Sequence, residues 1–478
     1  MKEKIYDVAV FGGGVVGSSI FNALAKSGYK PILIEKNSDV ATGTSKANSG
    51  IVHAGFDAVT GTKKARFNIE GNKMFPSICE RVGVPLKKIG AYVVGNDIES
   101  VKTLLLRGRA NGISNLEFLG VNDLKKRIPN IADDVMCGLF APDSYIVNPY
   151  LLTIALAEEG VVNGGEVVLN WDTKKVTKAS GYFIISNGRK VIMAKKLVNA
   201  CGYAYNEMAK ILGTEKYKIE YKRGEYYVLD HSEAGIVNST IFPLPDKHSK
   251  GILVTPTVDG NILVGPTSYL SDDTTITTDA GLSSIKEKSK TLLKNVDLSK
   301  TIRTFAGVRS VVGDDFVIEV SKKNPNIVNL AGICSPGLSS APAIAKYVVG
   351  DLLKLKYNPD LHNVKIRPYQ MLKDLPESKV KALIKQNPSY GKIVCKCESI
   401  SEGEIVDAID RPIRPTTTDG IKRRIRAGMG RCQGSFCLDR VIKILARENH
   451  CDFDDIRKEN GDSRWVVEDV KGGVDSEN

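Results

Sequence analysis

No stretch of the 478-residue chain holds the roughly 18–20 consecutive apolar residues that a membrane-spanning helix needs. The opening run, Met1-Lys-Glu-Lys-Ile-Tyr-Asp7, also lacks the apolar core and small-residue cleavage site of a signal peptide. The expected location is therefore the cytoplasm, with at most a peripheral hold on a membrane through a partner. Internal repeats and low-complexity tracts are absent. Histidine is scarce, five residues in all, and His53 is the only one before residue 231. The net charge of +12 forms no stripe: its densest cluster, Lys422, Arg423, Arg424, Arg426 and Arg431, contains no aromatic residue for stacking. Nucleic acid is not an expected partner. Nine cysteines, an odd number in a chain without a leader, do not suit a disulfide framework.

What is present is ordinary for a globular protein: 42% hydrophobic and 26% charged residues. At roughly 100–200 residues per domain the length allows two to four domains. Tyr6 to Phe11 is a short apolar run rich in β-formers. It breaks into Gly12-Gly-Gly-Val-Val-Gly17, and Ser18 to Lys26 then shows helical spacing. Gly28 closes the helix and Pro31 to Glu35 reads as a second parallel strand. Lys195–Gly202 and Asn326–Gly332 read as further buried strands ending on glycine, and Ala341–Leu355 as a helix packed back on the sheet. Glu225–Asp230 and Gly251–Gly265 alternate in a way that suits an antiparallel sheet. The span 358–390, with Pro359, Pro368, Pro376 and Pro388, reads as a connector.

A Gly-x-Gly-x-x-Gly string gains meaning from its setting between strand and helix. Gly12 permits the tight turn, Gly14 lets backbone approach a pyrophosphate, and Gly17 lets helix and strand pack closely. The helix N-terminus offers N–H groups to phosphates, and Glu35 is placed to accept hydrogen bonds from a ribose diol. Spacing does not separate NAD from FAD. Two later loops, Ala41–Gly55 and Gly332–Pro342, are small, polar and glycine-rich, and two distant loops closing on one cofactor suit a permanently held flavin.

These runs, with Arg-Gly-Glu-Tyr-Tyr at 223–227, Thr-Pro-Thr-Val-Asp-Gly-Asn-Ile-Leu-Val-Gly-Pro at 255–266, Phe-Ala-Gly-Val-Arg at 305–309 and Ser-Pro-Gly-Leu-Ser-Ser-Ala-Pro-Ala at 335–343, resemble the D-amino-acid-oxidase-like flavoprotein superfamily over residues 4 to 356. Within it the likeness is greatest to FAD-dependent glycerol-3-phosphate oxidases and dehydrogenases, then to L-2-hydroxyglutarate oxidases. The resemblance implies oxidation of a secondary alcohol, with hydride passing from C2 of glycerol 3-phosphate to the flavin. His53, in a small-residue loop, is the expected base, since an ordinary imidazole pKa of about 6.5 suits proton abstraction near neutrality. A phosphate is best gripped by a guanidinium and an ammonium; the resemblance places Arg309 and Lys250 there, with Ser49 and Ser335 beside the substrate. By matching position, the FAD contacts are Gly12, Gly14, Val16, Gly17, Glu35, Thr44, Ser45, Gly50, Ile51, Val176, Ile333, Cys334 and Ser339. The helix near Ala341 can stabilise reduced flavin through its positive end.

Cys395-Lys-Cys397, thirty-four residues, then Cys432-Gln-Gly-Ser-Phe-Cys437 is the second signal. Four thiolates bind zinc or an iron–sulfur cluster, and the Cys-x-Cys half is tighter than structural zinc normally uses. Ile393–Leu438 resembles the bacterioferritin-associated-ferredoxin-like domain, which implies a [2Fe–2S] cluster on Cys395, Cys397, Cys432 and Cys437. The N–H groups and cations of the basic, glycine-containing run 424–431 are expected to offset cluster charge. Cys451 lies outside the pattern.

The expected fold is α/β with α+β parts: a Rossmann-like FAD-binding domain (about 1–85, 147–202 and 305–357), a mainly antiparallel substrate domain (about 86–146 and 203–304), the 358–390 linker, a small two-helix [2Fe–2S] domain (391–452) and a charged tail (453–478). Electrons are expected to leave singly through the cluster to a protein acceptor, such as a second flavoprotein subunit. L-2-hydroxyglutarate oxidation and a non-catalytic electron-transfer subunit are the alternatives.

Overall fold

The computed structural model describes residues 4–245, 251–271 and 275–466. They divide into two compact units, one running to Lys36 and from Val40 to Pro368, the other holding Asn37–Asp39 and the chain from Tyr369 onward.

In the first unit, the continuous apolar runs pair as parallel strands, as expected when both faces of a sheet are covered. Ile5–Phe11 lies between Pro31–Ile34 and Val191–Asn199, parallel to both. Glu166–Val168 and Ile327–Ala331 extend this parallel set on its two sides. An antiparallel meander, Lys175–Lys178 and Phe183–Ser186, joins the early part of Val191–Asn199. The C-terminal ends at Phe11, Ile34, Asn199 and Ala331 all face one crevice, where open α/β sheets bind their ligands.

Helices cover this sheet. Val15–Lys26 packs against Pro149–Val162 and Gly337–Tyr347, and the last also packs against Lys63–Val82. The contact is backbone to backbone at Gly71, where a Cβ would meet the Ser339 carbonyl oxygen at 2.0 Å. That packing explains a difference from the expected boundary. The helix opens at Gly337 rather than Ala341 and carries Pro342 inside it; a proline without an N–H argues locally for a later start, but close helix packing holds the preceding turn.

The second sheet of this unit has nine strands and is mostly antiparallel. Glu220–Leu229 pairs along its whole length with Thr301–Val311, and one parallel pair, Ala91–Gly95 with Thr240–Pro243, interrupts the pattern. Its core lies among Leu124, Ile241, Val254, Ile262 and Ile285.

The second unit has its own core of Val394, Ile400, Ile405, Ile421, Val441 and Leu445. Glu402–Ile409 begins on a reciprocal capping box: the Ser401 side chain accepts from the Glu404 N–H, and the Glu404 carboxylate accepts from the Ser401 N–H at 2.8 Å. Leu438–Asn449 follows the last paired cysteine. One expectation needs correction here. The domain has a third helix, Thr418–Ile425, which runs into the basic 424–431 run; only Ile421 and Ile425 give it an apolar stripe, so its sequence looks solvent-exposed. The 358–390 span holds a helix, Glu377–Gln386, between its prolines. The charged tail is packed as far as described: Ile456 is buried and Phe453 and Trp465 lie against the core. The residues from 467 onward lie outside the described residues. Among the described residues no helix is long and apolar enough to cross a membrane.

One buried polar cluster ties the first unit together. The Glu159 carboxylate accepts from Arg81 Nε at 2.7 Å and from Asn22 Nδ2 at 2.9 Å, with Lys26 Nζ at 3.4 Å. Lys26 and Glu159 are both 1% exposed. Burial pushes the Lys26 ammonium below the ordinary lysine range while Glu159 pulls it back. Removing one member of such a buried pair strands a charge at a cost of about 3–5 kcal/mol. Glu159→Ala is expected to lower the unfolding free energy of the first unit by that amount, seen as a lower urea midpoint, and Lys26→Met with Glu159→Leu together by much less.

Candidate active site

The glycine turn is built as the fingerprint requires. Gly12 has φ +100°, and a Cβ on it would stand 2.6 Å from the Ala200 carbonyl oxygen. A Cβ on Gly17 would stand 2.0 Å from the Gly12 carbonyl oxygen. Helix and strand thus touch through main chain alone. Gly14 is the N-cap, Val16 sits in the first turn, and that turn holds no acidic residue, which leaves the positive end of the helix open to an anion. Glu35, at the end of the second strand, accepts from the Gly13 N–H at 2.6 Å. Ser45 Oγ accepts from the Val15 N–H at 2.9 Å. The first turn at Gly14 and Val16, without an acid or a side-chain cap, fits a pyrophosphate, and Glu35 fits a ribose.

The Thr44–Gly50 loop leads away from this turn across the second sheet. Thr44 Oγ1 donates to the Val308 carbonyl at 2.6 Å. A Cβ on Gly307 would meet the Ala47 carbonyl oxygen at 2.2 Å, so the loop lies directly on the Thr301–Val311 strand. Opposite residues in an antiparallel pair share a face. Lys222 faces Arg309, Gly224 faces Gly307 and Tyr226 faces Phe305. The two glycines clear space between Arg309 and Tyr226. Arg309 is fixed by donating to the Thr267 carbonyl at 2.7 Å. Tyr226 stacks on Phe305 with ring centroids 4.7 Å apart and shares a hydrogen bond with Ser49. Burial raises the Tyr226 hydroxyl, with the nearby Arg309 charge acting against it.

His53 follows the short strand Ile51–Val52. Its N–H donates to Ser339 Oγ at 2.8 Å, and its carbonyl accepts from Asn72 Nδ2 at 3.1 Å and from the Asn68 amide at 3.0 Å. The main chain is held on both sides, and the ring tip, Nε2, lies 3.4 Å from Ser335 Oγ. The ring centroid is 5.8 Å from that of Phe242. Beyond it a small cavity is lined mainly by Phe56, Val93, Leu104 and Phe242, together with Asp57. Among the described residues its wall holds no lysine or arginine.

The structure therefore brings together His53, Ser335 and Ser339 in one cluster, Ser49 and Arg309 in another, and Gly12, Gly14, Val16, Gly17, Glu35, Thr44 and Ser45 around the turn. Gly50 has φ +68°, and a Cβ there would stand 2.4 Å from the Val147 carbonyl oxygen; Ile51 is buried beside it. Ile333 and Cys334 follow the Ile327–Ala331 strand in the loop that carries Ser335. Val176 lies in the antiparallel meander, where it pairs with Ile185 and is half-buried against the sheet core. Lys250 lies outside the described residues. The sequence reading did not assign Tyr226, Asn68 or Asn72. Tyr226 stood inside the quoted 223–227 run; the two asparagines, on the buried side of Lys63–Val82, carried no local signal.

In the second unit the thiols stand as two pairs. Cys397 and Cys432 have their sulfurs 3.5 Å apart. Cys437 hydrogen-bonds Cys395. Cys395 and Cys437 are buried, whereas Cys397 is exposed and Cys432 half-buried. Main-chain N–H groups of Gly428 and Glu398 donate to Cys395, and those of Gly434 and Phe436 to Cys432. The thiol–thiol bond holds Cys395 below the ordinary cysteine range and pushes Cys437 above it. Gly430 permits the approach, since a Cβ there would stand 2.3 Å from Cys397 Cβ. Among the described residues no three such ligands close on a single ion position. Two thiolates per iron, with N–H donors to sulfur, is a donor set that fits a two-iron cluster. Within the 424–431 run the Gly428 N–H does face a sulfur, whereas Arg426 is taken up in a two-point pair with Glu398 at 2.9 and 3.2 Å.

Comparison with known proteins matches residues 7–350 to a family described as FAD dependent oxidoreductase, and residues 393–447 to the BFD-like [2Fe-2S] binding domain. A glycerol 3-phosphate dehydrogenase of Caloramator mitchellensis is 41% identical over 98% of this chain and 100% of its own length. A glycerol 3-phosphate oxidase of Mycoplasma genitalium is 33% identical over 73% of this chain and 95% of its own. Among solved structures, the dithionite-reduced L-α-glycerophosphate oxidase of Mycoplasma pneumoniae with FAD bound is 29% identical, with a TM-score of 0.72 over 76% of this chain and 99% of that one.

The cysteine geometry generates a test. Cys432→Ser removes one ligand and one N–H-supported sulfur. The purified variant is expected to lose iron, acid-labile sulfide and the low-temperature EPR signal of the reduced protein, while its bound FAD stays at the wild-type level.

Proposed function

The chain belongs to the FAD dependent oxidoreductase family and carries a BFD-like [2Fe-2S] binding domain, and from that premise we propose that it oxidises sn-glycerol 3-phosphate to dihydroxyacetone phosphate as a dehydrogenase. The observation that carries this reading is the 41% identity to a glycerol 3-phosphate dehydrogenase that continues through the C-terminal module as well as the flavin domain. An enzyme passing electrons directly to oxygen has no need of that module, so the electrons leave one at a time through it to a partner acceptor.

FAD, when bound, accepts the hydride from C2 of the substrate. The glycine turn, Val16, Glu35, Thr44, Ser45, Gly50, Ile51, Val176, Ile333, Cys334 and Ser339 hold it. His53 takes the proton from the C2 hydroxyl at Nε2. Its main chain is fixed by Ser339, Asn68 and Asn72, so little ordering is needed when the substrate arrives. Ser335 sets the direction of the ring. Arg309 takes the phosphate, with Ser49 and the Tyr226 hydroxyl beside it, and the resemblance assigns Lys250 to the same group. Arg309 is already anchored through Thr267, so its guanidinium is pre-organised for a charge-assisted contact. The positive N-terminal end of the Gly337–Tyr347 helix would stabilise a negative charge developing on a bound flavin.

His53→Ala is expected to retain FAD and to slow flavin bleaching by substrate about 10²–10⁴-fold, the usual worth of a general base. Stopped-flow reduction within twofold of wild type overturns the assignment. Anaerobic titration with glycerol 3-phosphate, followed by flavin absorbance, tests the substrate. Full bleaching is expected with it, and almost none with glycerol or L-2-hydroxyglutarate. Arg309→Ala is expected to raise the glycerol 3-phosphate requirement by about 1.5–3 kcal/mol, roughly 10- to 150-fold, at unchanged flavin content. Equal turnover of glycerol and its phosphate contradicts the phosphate grip.

A further inference from the structure

Phe436 is 84% exposed, in a loop whose two ends are Cys432 and Cys437. A single exposed apolar side chain is common and says nothing by itself. Its position does. The Phe436 N–H donates to the Cys432 sulfur, and that sulfur lies 3.5 Å from Cys397, the exposed member of the four. The other pair, Cys395 and Cys437, is buried. The thiol set thus has an inner and an outer side, and the aromatic ring stands on the outer one.

Exposed cations stand next to the same cysteines in the chain. Lys396 lies between Cys395 and Cys397, Arg431 precedes Cys432, and Arg440 is one turn beyond Cys437; all three are exposed. The neighbouring acids are committed to other cations. Glu398 is buried against Arg426, and Asp439 pairs with Lys443 at 2.9 Å. An aromatic anchor within a cationic rim is the arrangement that gives a protein contact both affinity and steering. A lipid surface asks for a broad apolar helical face, which one phenylalanine does not supply.

Resting on the [2Fe–2S] reading of the cysteines, we propose that Phe436, Lys396, Arg431 and Arg440 form the docking face for a one-electron acceptor protein with an acidic surface, and that electrons leave by the Cys397–Cys432 side. Each docking moves one electron and neither bond nor proton. The chain is oxidised by one electron and the acceptor reduced by one, so each substrate oxidised reduces two acceptor molecules.

The test uses the full holoprotein reduced by photoreduction rather than by substrate, so that it does not depend on the substrate assignment. The reduced protein is mixed in a stopped-flow instrument with an acidic b-type cytochrome or with basic cytochrome c, and the haem bands are followed. The wild type is expected to reduce the acidic cytochrome faster, and this rate should fall about tenfold as salt rises from about 0.05 to about 0.5 M. Phe436→Ser and Lys396→Glu should each slow it about tenfold while iron content and EPR spectrum stay those of the wild type. Lys396→Glu should also speed the reaction with cytochrome c. Rates unchanged in both variants, or a wild-type preference for cytochrome c, overturn the proposal. So does sedimentation with anionic phosphatidylglycerol vesicles that Phe436→Ser abolishes, since the face would then belong to lipid. A reduced wild type without a [2Fe–2S] signal removes the cysteine reading, and the docking face with it, whatever the substrate proves to be.

Discussion

The Val15–Lys26 helix rests directly on the turn that ends the first strand, because Gly17 has no Cβ to meet the Gly12 carbonyl oxygen 2.0 Å away. Much of the site follows from that contact. It aims the free end of the helix into the crevice at the strand ends. Gly13, held in the same turn, donates to Glu35 and so fixes the end of the neighbouring strand. Val15 donates to Ser45 and so fixes the start of the long loop. Eight residues later that loop delivers His53. A larger side chain at residue 17 would tilt the helix, and every one of these links would shift with it.

The long loop also explains how His53 and Arg309, which sit on different sheets, are tied together. Ala47 lies on Gly307, and Thr44 on the Val308 carbonyl. The loop is therefore clamped to the strand that carries Arg309, two residues from the contact. Gly224 and Gly307 face each other across the strand pair, which removes two side chains from the face between the guanidinium and Tyr226. The result is a polar recess with rigid walls: Arg309 held by Thr267, Tyr226 by Phe305 and Ser49. Rigidity matters because a charge-assisted contact loses less entropy when its donor is already oriented.

Much of this was legible in the sequence, and the limits of that legibility have physical causes. The nucleotide turn was readable because its requirements are local: positive φ at Gly12, a missing Cβ at Gly17, an acid at the end of the next strand. Glu402–Ile409 was readable because its capping box and apolar spacing coincide. Tyr226 was missed as a site residue because its role depends on register with Phe305 and on a loop more than 170 positions away in the chain. Asn68 and Asn72 were missed because a buried asparagine bonded to a distant carbonyl leaves no pattern. The Gly337–Tyr347 helix started early because packing at Gly71 overrides what Pro342 dictates locally. Thr418–Ile425 hid its helix behind charged residues that fold inward: Arg423 and Arg424 are buried, contrary to the rule that such residues face water.

Those buried arginines bear on how the cysteine unit manages charge. Four thiolates in a small space repel one another, and nearby guanidinium groups are an obvious remedy. Here the buried guanidinium groups are taken up by carboxylates: Arg426, for one, neutralises Glu398, the residue that directly follows Cys397. What faces the sulfurs instead is main chain, with N–H groups from Gly428, Glu398, Gly434 and Phe436. Such dipoles bring partial positive charge within bonding distance and occupy almost no volume, so several fit where one arginine would not. They are also fixed by the fold, because Gly430 and the positive φ of Gly428 and Gly434 dictate where the loops run. The ion pair beneath serves the loop rather than the sulfurs. It holds Glu398 and Arg426 in place, and with them the turn from which two of the four N–H donors come.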